Sequence, residues 1–478
     1  MVANFTSAAL PPLCVDLDET LVKTDLLHET LLILLKRAPL AFLAIPGWLI
    51  KGRAYLKHQV ALRTQMEVAH LPYRTELVEF LRLERARGRR LVLVTAADRL
   101  LAARVQEHLQ LFDEVIASDG SLNLKGSSKA QLLEKKFGKQ QFDYVGDSHA
   151  DFAVWRGARR AVVVSDSKRF VAAINSIVPV ETVFPKTTGR FRLLLKACRP
   201  HQWAKNVLVF VPILTSHRLT DSHVLLQGAL AFFSFGFIAS SVYLLNDTLD
   251  LEADRVHAIK RSRALAAGQV SVPIVVGMSL FLFVAGAAIG TLCGAGFLFF
   301  AALYLGGNVV YSIWLKRVVM LDVVVLACFY TLRLLAGGAA TGIGCSDWLL
   351  AFSVFFFFCL AMVKRYSELR ELGDTAAPPG RGYLRTDLES IGTFGVSSGL
   401  ISVLVLVLYV MSPEVRILYQ KPTLLLLLCP LFLYWITRLW FKANRGEVPQ
   451  DPVVFALTDR TSYVAGVLAA LVLYAATI

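Results

Sequence analysis

Charged side chains are scarce in this chain: 18% of its 478 residues are Asp, Glu, Lys or Arg, against 55% in the apolar set, and the mean hydropathy is +0.56. Such a balance excludes a disordered chain and indicates that much of the length lies in a membrane. Cysteine is sparse too. Its seven copies are scattered, form no CxxC pair and fall mostly inside apolar runs, which leaves them as small core residues and excludes a disulfide framework or thiolate metal site. The opening stretch MVANFTSAALPPLCVDLDET lacks a basic segment followed by an apolar core and a cleavage site. No secretory signal is expected from it, and the N-terminal part is expected to stay in the cytosol. The formal net charge of +14 is concentrated near the ends of apolar runs, which suits membrane anchoring and anionic ligands and makes nucleic acid an unsuitable partner.

What is present is uneven. Residues 1–190 alternate charged and apolar segments as a water-soluble module does, whereas 207–478 are dominated by long apolar runs. Stretches long enough to cross about 30 Å of hydrocarbon occur near 196–216, 224–245, 271–290, 295–313, 321–342, 348–363, 392–411, 423–441 and 461–478. The first is the weakest, because NVLVFVPIL is short and must borrow the preceding RPHQWAK. With the N-terminus inside, fifteen Lys and Arg residues, Arg381 among them, fall on the inner side, and Arg218, Arg416 and Lys421 on the outer. This asymmetry predicts an inner-membrane, multi-pass protein with its N-terminal module and its charged loops on the cytoplasmic face.

In the N-terminal module, PLCVDLDETL reads as a strand ending in Asp16 and Asp18, and RRLVLVTAAD as a second ending in Thr95. Lys129 opens the helical pattern KAQLLEKKFG, and a third strand runs into YVGDSHAD with Asp147 and Asp151. Strands alternating with helices predict a parallel α/β sheet whose site lies at the carboxyl ends of its strands. The ordered pattern DxDxT, Thr, Lys, GDxxxD resembles the haloacid dehalogenase-like phosphatase family over about residues 11–175. The resemblance implies that Asp16 is the nucleophile and Asp18 the general acid and base, that Thr95 and Lys129 hold phosphate, and that Asp147 and Asp151 hold Mg²⁺, with Asp16 and Asp18 counted among its ligands. An apolar insert at about 25–72, with Trp48 and Tyr55 beside Lys36, Arg37, Lys51, Arg53 and Lys57, sits where that family places a cap. Two readings stay open for it: helices resting on the membrane, or a cap that buries its leucines internally.

The membrane half carries a second acidic constellation. The apolar run Ala229–Leu245 leads into LLNDTLDLEADRVHAIKRSR, in which Asn246, Asp247, Asp250 and Asp254 would share one helical face within an arc of about 100°. Three carboxylates so placed repel one another unless a divalent cation lies between them, and oxygen ligands suit Mg²⁺ carrying a substrate diphosphate. Arg255, Lys260, Arg261 and Arg263 follow, positioned to meet phosphate oxygens. Deeper in the apolar runs are Asp322 and Arg333, where a charge marks either a ligand contact or a structural pair; eleven residues apart, they are too distant along a helix to bond each other directly.

The NDxxDxxxD pattern resembles the UbiA-type membrane prenyltransferase superfamily, and the likeness covers 195–478. RPHQWAKNVLVFVP, SIWLKRVVMLDVVVLA, VKRYSEL and ALTDR narrow it to the decaprenyl-phosphate phosphoribosyltransferase family. That resemblance implies phosphoribosyl diphosphate as donor, polyprenyl phosphate as acceptor, Asp247, Asp250 and Asp254 as the catalytic Mg²⁺ ligands, and phosphate or substrate contacts from Lys205, Asn246, Arg261, Arg333, Lys364, Arg365, Glu368 and Arg460, with Arg199 as a further candidate. A second aspartate-rich motif is lacking: where prenyltransferases carry it, this chain has Lys364, Arg365, Tyr366 and Glu368, with only Glu371 and Asp374 beyond.

The expected architecture is therefore an N-terminal α/β phosphatase-like domain at 1–180 with a helical cap, a linker at 181–195, and an all-α polytopic membrane bundle of about nine helices at 196–478. The expected activity is bifunctional: phosphoribose transfer to the lipid phosphate, then removal of the 5-phosphate, feeding a route to arabinose-type lipid donors. The alternatives are a prenyltransferase acting on an aromatic acceptor and a non-catalytic lipid-binding or transport protein with a regulatory domain. The transport reading predicts inverted repeats and midplane charge, whereas here no repeat is evident and charge gathers at the rim.

Overall fold

The computed structural model describes residues 10–186, 190–371, 382–448, 451–456 and 458–478; Asp374, Arg381, Leu457 and residues 187–189 of the expected linker lie outside them. The chain divides into two compact units, one of Met1–Cys198 with Leu244–Met278, the other of Arg199–Tyr243 with Ser279–Ile478.

The first unit is built on a six-stranded parallel sheet of β1 (Leu13–Val15), β2 (Leu91–Asp98), β3 (Glu114–Ser118), β4 (Asp143–Gly146), β5 (Ala161–Val164) and β6 (Val180–Phe184), in the order β3-β2-β1-β4-β5-β6. β1 lies between β2 and β4, with Leu13 opposite Leu91 and Asp143. Side chains alternate between two faces, as strand geometry requires. Leu13, Val15, Leu91, Leu93 and Val145 pack into one core, and Cys14, Val92, Val94 and Tyr144 into the other. Burial on both faces explains why these strands read as continuous apolar runs.

After β1 the chain makes a tight loop, with Glu19 at φ 55°, and enters the cap helix Leu26–Arg37. Asp25 caps that helix by accepting from the N–H groups of Leu27 and His28, and Lys36 and Arg37 fall in its last turn, where cations are favoured. Three further helices complete the cap: Pro39–Phe42, Ile45–Ile50 and Arg53–Arg63. Leu34, Leu56 and Val60 form its small internal core.

Among the described residues, eight helices are long and apolar enough to cross a membrane: Ser222–Leu249, Val272–Thr291, Ala295–Ile313, Leu321–Thr341, Asp347–Glu371, Arg385–Met411, Pro422–Arg445 and Arg460–Thr477. The stretch 196–216 is not among them. Arg199 takes a left-handed conformation (φ 51°), Pro200–Phe210 winds as a 3₁₀ helix, and only Val211–Thr215 is α-helical. Pro200 and Pro212 remove backbone donors within this short run, so a continuous α-helix does not form. The membrane helices approach closely through glycine: a Cβ on Gly337 would collide with the Val209 carbonyl, and one on Gly395 with the Trp440 ring.

Candidate functional sites

In the first unit, the end of β1 and the loop after β4 bring three carboxylates together. One oxygen from each of Asp16, Asp147 and Asp151 lies within 4.8 Å of the others, and all three residues are buried. The Asp16 N–H donates to the Val145 carbonyl at 3.0 Å, so the strand pairing itself places this carboxylate. Lys129 Nζ stands 3.0 Å from Asp16 Oδ2 and 3.7 Å from Asp151 Oδ1. It also donates to the Tyr144 hydroxyl at 2.9 Å, which in turn donates to Asp151 Oδ1 at 2.8 Å. Asp151 Oδ2 accepts from Ser148 Oγ (2.8 Å) and Ser148 N (3.1 Å), and Asp147 Oδ1 accepts from Thr20 Oγ1 (3.0 Å). Lys186 pairs with Asp147 and, at 2.8 Å, with Glu19.

Burial pushes Asp16 up to about 7, against the pull of Lys129, with Asp151 and Asp147 adding to the rise. Clustered oxygen donors, two of which, Asp16 and Asp147, are held back from ionising by burial, fit a hard divalent cation such as Mg²⁺. Asp18 stands apart from the cluster. Its Oδ1 accepts the Leu26 N–H at 2.9 Å at the head of the cap helix, and burial, with Asp25 nearby, holds its carboxyl well above the usual range. A protonated carboxyl there is suited to donating a proton. Thr95 is fully buried, and its Oγ1 accepts from Ala97 N at 2.9 Å.

Sequence reasoning passes over Tyr144 and Lys186, and it notes Lys57 as a cap cation without giving it a place at the site. The signal for Tyr144 is a tyrosine three residues before Asp147. Lys57 Nζ reaches the Ala96 carbonyl at 2.6 Å and helps stabilise the ionised form of Asp18.

The acidic stripe does not sit on one unbroken helix. The membrane helix ends at Leu249, Asp250 leaves helical geometry (φ −93°, ψ 10°), and a short helix Leu251–Val256 follows. The i to i−4 bonding nevertheless continues through the break, Asp250 N to Asn246 O and Asp254 N to Asp250 O, each 2.8 Å. Arg263 Nη1 bridges Asp247 Oδ1 (3.0 Å) and Asp254 Oδ2 (2.6 Å). Burial raises Asp254 above the ordinary carboxylate range, and Arg263 opposes the rise. Arg255, grouped by sequence with the phosphate-binding cations, is instead committed elsewhere. Its guanidinium makes a buried bidentate pair with Glu29 of the cap helix (2.6 and 2.5 Å) and donates to the Ala266 carbonyl. Arg37 meets Glu252 at 3.2 Å, and Lys36 Nζ donates to the Leu249 carbonyl at 3.1 Å. Arg261 is exposed.

In the second unit, Lys205 is buried, pairs with Asp451 and lies 5.9 Å from the centroid of the Tyr330 ring. Lys364 is half-buried and its charge acts on Asp451. Arg333 donates to Asn206 Oδ1 (3.0 Å), the Phe329 carbonyl (2.6 Å) and the Tyr304 hydroxyl (3.2 Å). The rings of Phe235, Tyr304 and Tyr330 surround its guanidinium. Asn206 Nδ2 is buried with no partner among the described residues. Arg365, expected from the resemblance to contact phosphate, is instead held by protein carboxylates. It is fully enclosed, paired to Asp322 and Glu368, and Tyr383 donates to Asp322 Oδ1 at 2.5 Å. A guanidinium in that position braces two helices. Arg460 is exposed at the start of the last helix, next to Asp459, which holds Arg438 at 2.7 and 2.9 Å.

Residues 207–458 match the profile of the UbiA prenyltransferase family and residues 13–156 that of the haloacid dehalogenase-like hydrolases. The chain belongs to the UbiA prenyltransferase family and carries a haloacid dehalogenase-like domain at its N-terminus. Among its relatives is a protein of Sinorhizobium fredii called uncharacterized protein y4nM, 39% identical over 465 residues, 96% of this chain and 90% of that one. The nodulation protein NoeC of Azorhizobium caulinodans is 37% identical over 281 residues, 57% of this chain and 90% of that protein. The decaprenyl-phosphate phosphoribosyltransferase of Mycolicibacterium smegmatis is 35% identical over 201 residues, 41% of this chain and 62% of the relative.

Proposed function

We propose that the chain is a bifunctional enzyme of the inner membrane, with both sites on the cytoplasmic face. It transfers 5-phosphoribose from phosphoribosyl diphosphate to a polyprenyl phosphate, and its N-terminal domain, which extends past 180 to take in β6 (Val180–Phe184), then removes the 5-phosphate. The observation that carries the reading is the fusion itself. A membrane half similar to decaprenyl-phosphate phosphoribosyltransferase is joined to a module whose Asp16, Asp147, Asp151 and Lys129 form a phosphoryl-transfer constellation.

In the transfer step the bond from ribose C1 to the diphosphate oxygen breaks, an oxygen of the lipid phosphate forms the new bond to C1, and diphosphate leaves. The lipid phosphate is already ionised at neutral pH, so the chain needs no strong base and works by positioning and electrostatics. Asp247, Asp250 and Asp254 would hold Mg²⁺, which supplies charge neutralisation to the leaving diphosphate. Asn246, Lys205, Lys364 and Arg333 orient the anionic substrates, Arg261 and Arg460 attract them, and Arg365, paired with Asp322 and Glu368, serves as a brace. In the second step an oxygen of Asp16 attacks the 5-phosphate while Asp18 protonates the departing ribose oxygen; water, deprotonated by Asp18, then releases phosphate from Asp16. Lys129 and Thr95 hold the phosphoryl oxygens, and Asp147 and Asp151 would hold the second Mg²⁺.

The test is incubation of the full chain with Mg²⁺, labelled phosphoribosyl diphosphate and a polyprenyl phosphate. Label in the lipid fraction supports the reading, and label remaining in water contradicts it.

A further inference from the structure

The cap of the phosphatase-like domain carries an apolar edge that its own core does not cover. Leu34, Leu56 and Val60 face inward, whereas Leu40 is 82% exposed, Leu43 75% and Ile50 88%, with Leu49 beside them. The two short helices that bear them, Pro39–Phe42 and Ile45–Ile50, have no buried residue. The edge is also charged with one sign only. From Ala38 to Arg63 the sequence contains no Asp or Glu but has Lys51, Arg53, Lys57 and Arg63, and both Lys51 and Arg53 are exposed. An apolar edge flanked by cations, with Trp48 alongside, is complementary to the interfacial layer of an anionic bilayer.

A second, independent observation places this edge near such a layer. The helix that leads into it, Leu26–Arg37, is fastened to the segment Leu249–Arg255, which ends and follows the membrane-crossing helix Ser222–Leu249 and belongs to the same compact unit as the cap. Lys36 donates to the Leu249 carbonyl, Arg37 meets Glu252, and Glu29 holds Arg255 in a buried pair. Leu249 is the last residue of Ser222–Leu249, and Pro39 follows Arg37 by a single residue. We infer that the cap edge Leu40–Ile50 is a bilayer-docking surface, seated among anionic lipid headgroups. Its consequence, that the phosphatase site opens towards a phosphate borne on lipid, rests on the proposed function; the contact with the bilayer does not.

The test uses the full chain in vesicles of phosphatidylcholine and phosphatidylglycerol, with Cys328, Cys345 and Cys429 replaced by Ser and a nitroxide placed on Leu43→Cys or Ile50→Cys. Both labels are expected to collide preferentially with oxygen over a water-soluble nickel chelate. Nickel-favoured collision at both positions overturns the inference, and dipolar broadening between chains overturns it in favour of a second copy covering the edge. A companion variant, Leu43→Asp with Ile50→Asp, alters only exposed positions. Its hydrolysis of the 5-phosphorylated lipid is expected to fall about tenfold, with p-nitrophenyl phosphate hydrolysis unchanged; equal loss on both esters overturns the docking role. Oxygen-favoured labels on a chain that makes no phosphoribosyl lipid would sink the proposed function and leave the docking surface standing.

Discussion

At the scale of single residues, Asp250 and Asp16 separate the two activities. Asp250 sits where the helix breaks within the acidic stripe, far along the chain from the phosphatase carboxylates. Asp250→Asn is expected to abolish transfer of label to lipid and leave p-nitrophenyl phosphate hydrolysis intact; substantial transfer by that variant would remove the metal assignment. Lys364 and its neighbour Arg365 should part company in the same way. Lys364→Gln is expected to raise the KM for phosphoribosyl diphosphate with the fold intact, whereas Arg365→Gln removes the cation paired with the buried Asp322 and costs about 3 to 5 kcal/mol of stability, read as a loss of folded protein in detergent. Equal effects of the two substitutions would contradict the distinction.

Asp16 also predicts a pH dependence. Its folded value of about 7 lies above the ordinary 3.8, so the folded state binds the proton more tightly than the unfolded state. Its contribution to stability is therefore present below the unfolded value and lost as pH rises through the folded one. A cation bound by the same oxygens offsets that loss. The rise in Tm on adding Mg²⁺ to the full chain should be larger at about pH 8 than at about pH 5.5; a rise independent of pH would place the metal elsewhere.

At the scale of elements, the cap helix Leu26–Arg37 is the connection worth testing. Its N-terminal N–H orients Asp18, and its Glu29 holds Arg255, next to Asp254. Breaking the buried pair with Glu29→Gln should speed hydrogen exchange across 249–263, and the reversed pair Glu29→Arg with Arg255→Glu should restore protection. Unchanged exchange in the single variant would mean the pair does not hold the segment. The pairing is not legible in the sequence, because Glu29 and Arg255 are separated by 226 positions and the cations that follow Arg255 group it with the phosphate contacts. What periodicity and motif spacing did carry was local. Strands alternating with helices point to the parallel sheet, and the carboxylates at strand ends point to Asp16, Asp147 and Asp151 as neighbours. Arg365 was misread for the same reason that Glu29 was missed: whether a cation faces a phosphate or an Asp depends on a partner on another helix, here Asp322.

At the scale of the whole molecule, the central claim is that one chain performs transfer and then dephosphorylation on the same lipid. Asp16 directly follows β1 in the N-terminal domain, and the proposed mechanism gives it a role only in dephosphorylation, so its loss should interrupt the second step alone. The measurement is mass spectrometry of the lipid products made by the wild type and by Asp16→Asn from phosphoribosyl diphosphate and polyprenyl phosphate in Mg²⁺. The account predicts dephosphorylated ribosyl lipid from the wild type and its 5-phosphorylated precursor, heavier by one phosphate, accumulating at undiminished rate from Asp16→Asn. A wild type that releases only the 5-phosphorylated lipid would contradict it.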